Sequence, residues 1–224
     1  MKTLHLRFEA FLKAHKPKDW PALPGRTNHK KAGILVPIIK DKPWTCLLTL
    51  RTSTLRAHGG EICFPGGKPD PQDIDLKHTA LRECYEEIGL SNVEVIGSLS
   101  SVPLYTSDYR LVPFVALIEP NSSFSICKEE VEQLITISLR QVFHLPYLDA
   151  VPFSYQEKTY LSPVFFPSKL GCPHPVHRAI FGGTAHVLYE LLELLSKCLN
   201  RQLPPKRATL SEFPFPKGMG SSTR

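Results

Sequence analysis

One arginine, Arg82, is followed at close spacing by three glutamates, Glu83, Glu86 and Glu87. Counted from Glu83 the carboxylates fall at offsets 0, +3 and +4, which puts them on one flank of an α-helix. Clustered carboxylate oxygens suit a hard divalent cation, and such an ion in turn holds the phosphates of a substrate. A glycine turn, Phe64-Pro65-Gly66-Gly67-Lys68, leads towards the helix, and Gly89-Leu90 closes it. The competing reading is a solvated acidic helix face. The turn before the helix and the stop after it weigh against that reading.

The elements that must hold these groups are legible around them. At about 100° per residue, Leu76, Ala80, Leu81, Cys84 and Ile88 form one apolar arc that should pack on a sheet. Glu87 lies nearest the apolar border, where a carboxylate is costly unless a cation pairs with it. Arg82 stands one turn before Glu86 and can orient it. Gly89 can supply the left-handed residue that ends the helix, with Leu90 folding back onto it. Asp73 or Asp75 can cap its start.

The glycine turn, the arginine and the three glutamates together resemble the Nudix box. The resemblance implies an α/β fold, an α/β/α sandwich around a mixed β-sheet with the box helix against one face. It implies Glu83, Glu86 and Glu87 as ligands of Mg2+ or Mn2+, and Glu86, Glu87 and Arg82 as catalytic residues. There is one departure. The family pattern places a glutamate six residues after the glycine and eight before the arginine, whereas here those positions are Asp73 and Ile74, so the loop is one residue longer. Asp73 or Asp75 is left to take that role.

Upstream, the run Leu47-Leu48-Thr49-Leu50-Arg51-Thr52-Ser53-Thr54-Leu55-Arg56-Ala57-His58-Gly59-Gly60-Glu61-Ile62-Cys63 leads directly into the glycine turn. It resembles the signature of the coenzyme A diphosphatase branch of Nudix hydrolases. That resemblance implies hydrolysis of the diphosphate of coenzyme A or a derivative, giving adenosine 3′,5′-bisphosphate and (acyl-)4′-phosphopantetheine. Arg51 and Arg56 would hold phosphate, a task to which the guanidinium fork is suited, with Gly66 and Gly67 beside them at the substrate. Alone, either arginine reads as surface charge. Glu61 is either a further metal ligand or an exposed strand residue. The general base stays open among Glu87, Glu86, Glu61 and Glu130. Two alternatives remain: a Nudix hydrolase of another nucleoside diphosphate derivative (ADP-ribose, a dinucleotide or an RNA cap), and a non-catalytic Nudix-like ligand sensor. The first shares the box but not the upstream run, and the second would normally lack a metal glutamate.

Composition bounds these readings. The 224 residues suffice for one well-packed α/β domain but not two large ones. No apolar run approaches the ~20 residues that span a bilayer, so no membrane partner is expected. Six cysteines lack metal-ligand spacing and read as reduced thiols. The formal charge of +6 favours a polyanionic partner. No basic stripe interleaved with aromatics supports nucleic acid, so a small phosphorylated molecule is preferred. A homodimer stays open.

Residues 1–31 read as a short amphipathic helix and a Pro-rich linker, 32–199 as the hydrolase domain, and 200–224 as a weakly ordered tail. Within the domain, strands are expected at 32–39, 44–51, 92–104 and 110–118, with a turn at Asp41-Lys42-Pro43 and an apolar helix at 184–199. The cytoplasm is the expected compartment. The amphipathic start also fits a mitochondrial presequence, against which Glu9 and the lack of a serine-rich stretch weigh. The end, Ser222-Thr223-Arg224, does not match a peroxisomal address.

Overall fold

The computed structural model describes residues 2–40, 44–155, 157–174 and 176–214. The expected turn at 41–43 lies outside the described residues. Along the chain run α1 (Lys2–Ala14), β1 (Lys30–Ile39), β2 (Thr45–Arg51), β3 (Ile62–Cys63), β4 (Gly66–Gly67), α2 (Leu76–Ile88), β5 (Glu94–Ser98), β6 (Val102–Pro103), β7 (Tyr109–Ile118), β8 (Val131–Ser138), β9 (Leu148–Tyr155), β10 (Lys158–Val164), α3 (Gly182–Leu199) and β11 (Lys206–Ala208).

β1 and β7 form the spine of the main sheet, running parallel over ten residue pairs from Lys30↔Tyr109 to Ile39↔Ile118. The remaining pairings in this sheet are antiparallel: β5 and β6 on β7, β2 and β4 on β1, β3 and β8 on β2. The sheet is therefore mixed, and both its faces are covered, which explains the nearly unbroken apolar run of β1. Even-numbered β1 residues Ile34, Val36 and Ile38 pack with Phe8 and Leu12 of α1 and with Leu188, Leu191 and Leu195 of α3. On the opposite face Leu35 packs with Ala80, Cys84 and Ile88 of α2. This alternation produces the expected α/β/α sandwich.

A smaller sheet of β10, β9 and β11 follows, with β11 parallel to β9. The expected strand over 92–104 is broken into β5 and β6. Backbone N–H groups that would have continued its ladder are diverted: Ser100 donates to the Glu190 carboxylate of α3, and Ser101 donates to the Lys18 carbonyl. Among the described residues, no helix is long and apolar enough to cross a membrane.

Candidate active site

The turn at β4 and the helix α2 are fixed to each other by backbone geometry. Gly67 pairs with Gly33 of β1, and Gly66 pairs with Ile34. A Cβ added to Gly67 would stand 2.5 Å from the Glu83 carboxyl carbon, so only glycine admits that side chain here. The helix opens on Asp75, whose carboxylate accepts from the His78 N–H at 2.7 Å. It closes on Gly89 at φ 68°, with the Gly89 N–H donating to the Tyr85 carbonyl.

Asp73 does separate work from Asp75. Its carboxylate, only 1% exposed, accepts from Arg82 Nε at 3.0 Å and Nη2 at 3.1 Å, and from Thr79 Oγ1 at 2.8 Å. The Arg82 guanidinium, followed by burial acting the other way and further hydrogen bonds, holds Asp73 well below the usual carboxylate range. Arg82 also donates through Nη1 to Glu86 at 2.8 Å, and through Nη2 to Glu83 at 3.0 Å and the Lys68 carbonyl at 3.2 Å. Thus one guanidinium ties the loop, the turn and two box glutamates together. The aspartate reaches it from a loop one residue longer than the family pattern.

The three glutamates sit at graded depth. Glu86 is exposed, Glu83 half-buried and Glu87 only 2% exposed. Glu87 Oε1 accepts from Arg51 Nη1 at 3.2 Å, and Oε2 accepts from the Gly66 N–H at 3.3 Å. Burial pushes the Glu87 carboxyl up to about 7, against the Arg51 charge and the Gly66 hydrogen bond, and the charges of Glu130 and Glu83 add to the rise. Glu83 is also raised, first by burial, with Glu86 and Glu130 contributing.

Arg51, Gly66, Gly67, Arg82, Glu83, Glu86 and Glu87 are thus brought together by direct contacts. Arg56 is exposed in the loop between β2 and β3. Glu61 Oε2 accepts from His58 Nδ1 at 3.1 Å. Glu130 is exposed, yet its charge is felt by both Glu83 and Glu87, and its carbonyl accepts from the Thr52 N–H. Sequence reading gave no role to Asn28, which is fully buried and whose amide donates to the carbonyls of Leu104, Ser107 and Tyr109. It shapes the 103–109 loop. An isolated Asn in a Pro-rich linker carries no pattern that would reveal it.

Among the described residues, no three Asp, Glu, His or Cys side chains already close around a common point as a metal cage. The donor chemistry nevertheless fits a divalent ion: three hard carboxylates, of which Glu83 and Glu87 are raised first by burial and further by neighbouring negative charge.

The NUDIX domain family model matches residues 28–158. The chain belongs to the Nudix family. It is 39% identical over 140 residues to an uncharacterized Nudix hydrolase, NudL, of Yersinia enterocolitica, covering 60% of this chain and 71% of that protein. A NudL of Escherichia coli is 39% identical over 120 residues, and this match spans 53% of this chain and 62% of that protein, less than two thirds of its length. Among solved structures, a MutT/nudix family protein from Enterococcus faecalis matches at 11% identity and TM-score 0.47, covering 87% of this chain and 74% of that one. The NUDIX domain of Shewanella oneidensis NrtR, complexed with ADP ribose, matches at 20% identity and TM-score 0.41, covering 60% and 81%. This Nudix chain is a hydrolase by family, and Nudix hydrolases generally use divalent metal ions.

Proposed function

We propose that this Nudix hydrolase cleaves the diphosphate of coenzyme A or a derivative, releasing adenosine 3′,5′-bisphosphate and 4′-phosphopantetheine or its acyl form. One observation carries the reading. The run from Leu47 to Lys68, which resembles the coenzyme A branch, supplies both Arg51 and Gly66, the two hydrogen-bond donors on Glu87. The segment that resembles a substrate signature and the box helix therefore act as one unit.

A Mg2+ or Mn2+ ion held by Glu83, Glu86 and Glu87 would neutralise the diphosphate and polarise its P–O bond. Arg82, itself fixed by Asp73, keeps Glu83 and Glu86 apart and oriented. Arg51 has further guanidinium donors beyond the one engaged with Glu87, and these suit a phosphate oxygen. Water attacks phosphorus in line, a new P–O bond forms, and the anhydride oxygen leaves on the other phosphate. The water's proton passes to a carboxylate. Glu130 suits this role: it is exposed at the site and has no ion-pair partner among the described residues. The exposed Arg56, which forms no ion pair with the glutamates among the described residues, favours keeping a second reading: hydrolysis of another nucleoside diphosphate derivative through the same box.

The test is Mg2+- and Mn2+-dependent hydrolysis of coenzyme A beside ADP-ribose, diadenosine polyphosphates and capped RNA, with products resolved by mass. Adenosine 3′,5′-bisphosphate released preferentially from coenzyme A is expected. Preferential cleavage of another substrate overturns the assignment while keeping the box chemistry. Binding without turnover of any of them would point to a ligand sensor.

A further inference from the structure

We propose that Lys30 and Lys68, converging on Tyr109, form a subsite for a ribose phosphomonoester, the 3′-phosphate on the adenosine half of the substrate. This rests on the coenzyme A reading and deepens it: it names what distinguishes that nucleotide from one without the extra phosphate.

The sheet itself assembles the subsite. Lys30 begins β1, Tyr109 begins β7, and the two are in-register partners of a parallel pair, so their side chains leave the same face. Lys68 comes from another direction, directly after β4, which pairs with β1 on the edge opposite β7. The Lys30 ammonium lies 5.8 Å from the Tyr109 ring centroid, and the Lys68 ammonium lies 5.4 Å from the same centroid. Tyr109 is half-buried and both lysines are exposed. An aromatic face attracts both cations and holds them near each other despite their repulsion.

Their charge is otherwise uncompensated. Lys13, Lys40 and Lys169 each form ion pairs with carboxylates, whereas among the described residues neither Lys30 nor Lys68 does. The acid next to Tyr109, Asp108, spends its carboxylate on the Thr27 N–H. Two compact ammonium charges without a carboxylate between them match a dianionic phosphate monoester.

The subsite is also joined to the box. The Lys68 carbonyl accepts from Arg82 Nη2 at 3.2 Å, which fixes the backbone of the very residue whose ammonium meets Tyr109. Gly67, the preceding residue, lies against Glu83 and pairs with Gly33. From Gly33 back to Lys30 is three residues of strand, about 10 Å. A nucleotide whose diphosphate sits at Glu83 can therefore carry a phosphate on its sugar to the two lysines. The competing account is that the lysines merely coat an exposed aromatic ring, or that they serve the diphosphate itself.

Substrate discrimination separates these accounts. kcat/KM is measured for coenzyme A and for 3′-dephospho-coenzyme A with the wild type, Lys30→Ala, Lys68→Ala and the double variant. Lys158→Ala, on β10, serves as the charge control. All three substitution sites, Lys30, Lys68 and Lys158, carry exposed side chains, and melting temperatures verify folding. The wild type is expected to prefer coenzyme A, and each subsite variant to lose about tenfold in kcat/KM for it, mainly through KM. Hydrolysis of the dephospho substrate should stay within about twofold, as for any surface charge change. Equal losses on both substrates would place the lysines at the diphosphate and overturn the inference. So would a wild type that hydrolyses both substrates equally, although the coenzyme A reading would survive. So, too, would unaltered preference in the double variant. A wild type that turns over neither but opens another diphosphate would overturn the proposed function, and this inference with it.

Discussion

Glu87 combines near-complete burial with one guanidinium and one backbone N–H, and its carboxyl is pushed from 4.5 up to about 7. Burial is the largest cause, and the Arg51 charge offsets only part of it. A folded-state pKa above the unfolded value favours the protonated form. The associated stability is fully present below about pH 4.5 and is lost as pH rises through about 7. The shift corresponds to roughly 3 kcal/mol. The metal-free protein should therefore melt at progressively lower temperature between pH 5 and pH 8, with Mg2+ or Mn2+ restoring stability most at the alkaline end. Glu87→Gln should flatten that profile, keep the fold, and cut turnover at least about a hundredfold. A wild-type profile already flat across this range would show that Arg51 fully neutralises the carboxylate. A second residue-scale expectation concerns Asp73. Asp73→Asn leaves the loop length intact but takes the charge off the bidentate partner of Arg82. Turnover should fall about tenfold as Arg82 loses its anchor and Glu83 and Glu86 lose a fixed orientation. Unchanged kinetics would remove Asp73 from any positioning role. The sequence showed the three glutamates through their spacing together with the glycine turn before the helix and the Gly89-Leu90 stop after it, but left Asp73 and Asp75 interchangeable. Only the folded loop separates them, because a helix cap and an arginine partner demand the same carboxylate within two residues of each other.

At the scale of elements, the site depends on how closely β4 approaches its two neighbours. Gly66 adopts φ 147°, and a Cβ there would stand 2.4 Å from the Gly33 carbonyl oxygen, against backbone that cannot yield. At Gly67 the obstacle is instead the Glu83 carboxylate, with all three of its carboxyl atoms within 2.6 Å of the added carbon. The two substitutions should fail differently. Gly66→Ala should lower the melting temperature by disrupting the β1–β4 pairing, whereas Gly67→Ala should leave it nearly unchanged. Gly67→Ala should instead weaken metal-dependent activity more than about tenfold by displacing Glu83. Comparing melting curves with metal titrations of activity checks the contrast, and a Gly67→Ala protein with wild-type metal dependence would contradict it. The helix α2 was readable with its cap and stop because its apolar period and flanking Asp and Gly are local signals. The strand β4 was not, because two residues carry no period. Likewise the break between β5 and β6 follows from the carboxylate of Glu190, ninety residues away along the chain. No local pattern near Ser100 announces a partner on α3.

For the whole molecule, the sheet separates two cores with different duties. The face bearing α2 carries the box, while the opposite face binds α1 and α3 to the same strands. The N-terminal helix is part of this second core. Phe8 is fully buried and meets the Trp44 ring edge-on at a centroid distance of 5.0 Å, and Leu12 lies where any side chain on Gly97 of β5 would have to go. The amphipathic pattern of residues 4–14 made a helix legible but gave no destination for its apolar face, since a membrane-directed helix and a core-packing helix share that pattern. The folded chain supplies the destination. Phe8→Ala should then destabilise by about 3–5 kcal/mol, the cost of a large buried aromatic and the cavity it leaves. Because this core lies across the sheet from Glu83 and Glu87, KM and kcat well below the melting temperature should stay close to wild type. Denaturant unfolding together with steady-state kinetics makes the measurement. A stable variant would mean that α1 is dispensable to the core. A destabilised variant that also loses metal-dependent turnover in its folded state would show instead that β1, common to both cores, transmits packing on one face to the carboxylates on the other.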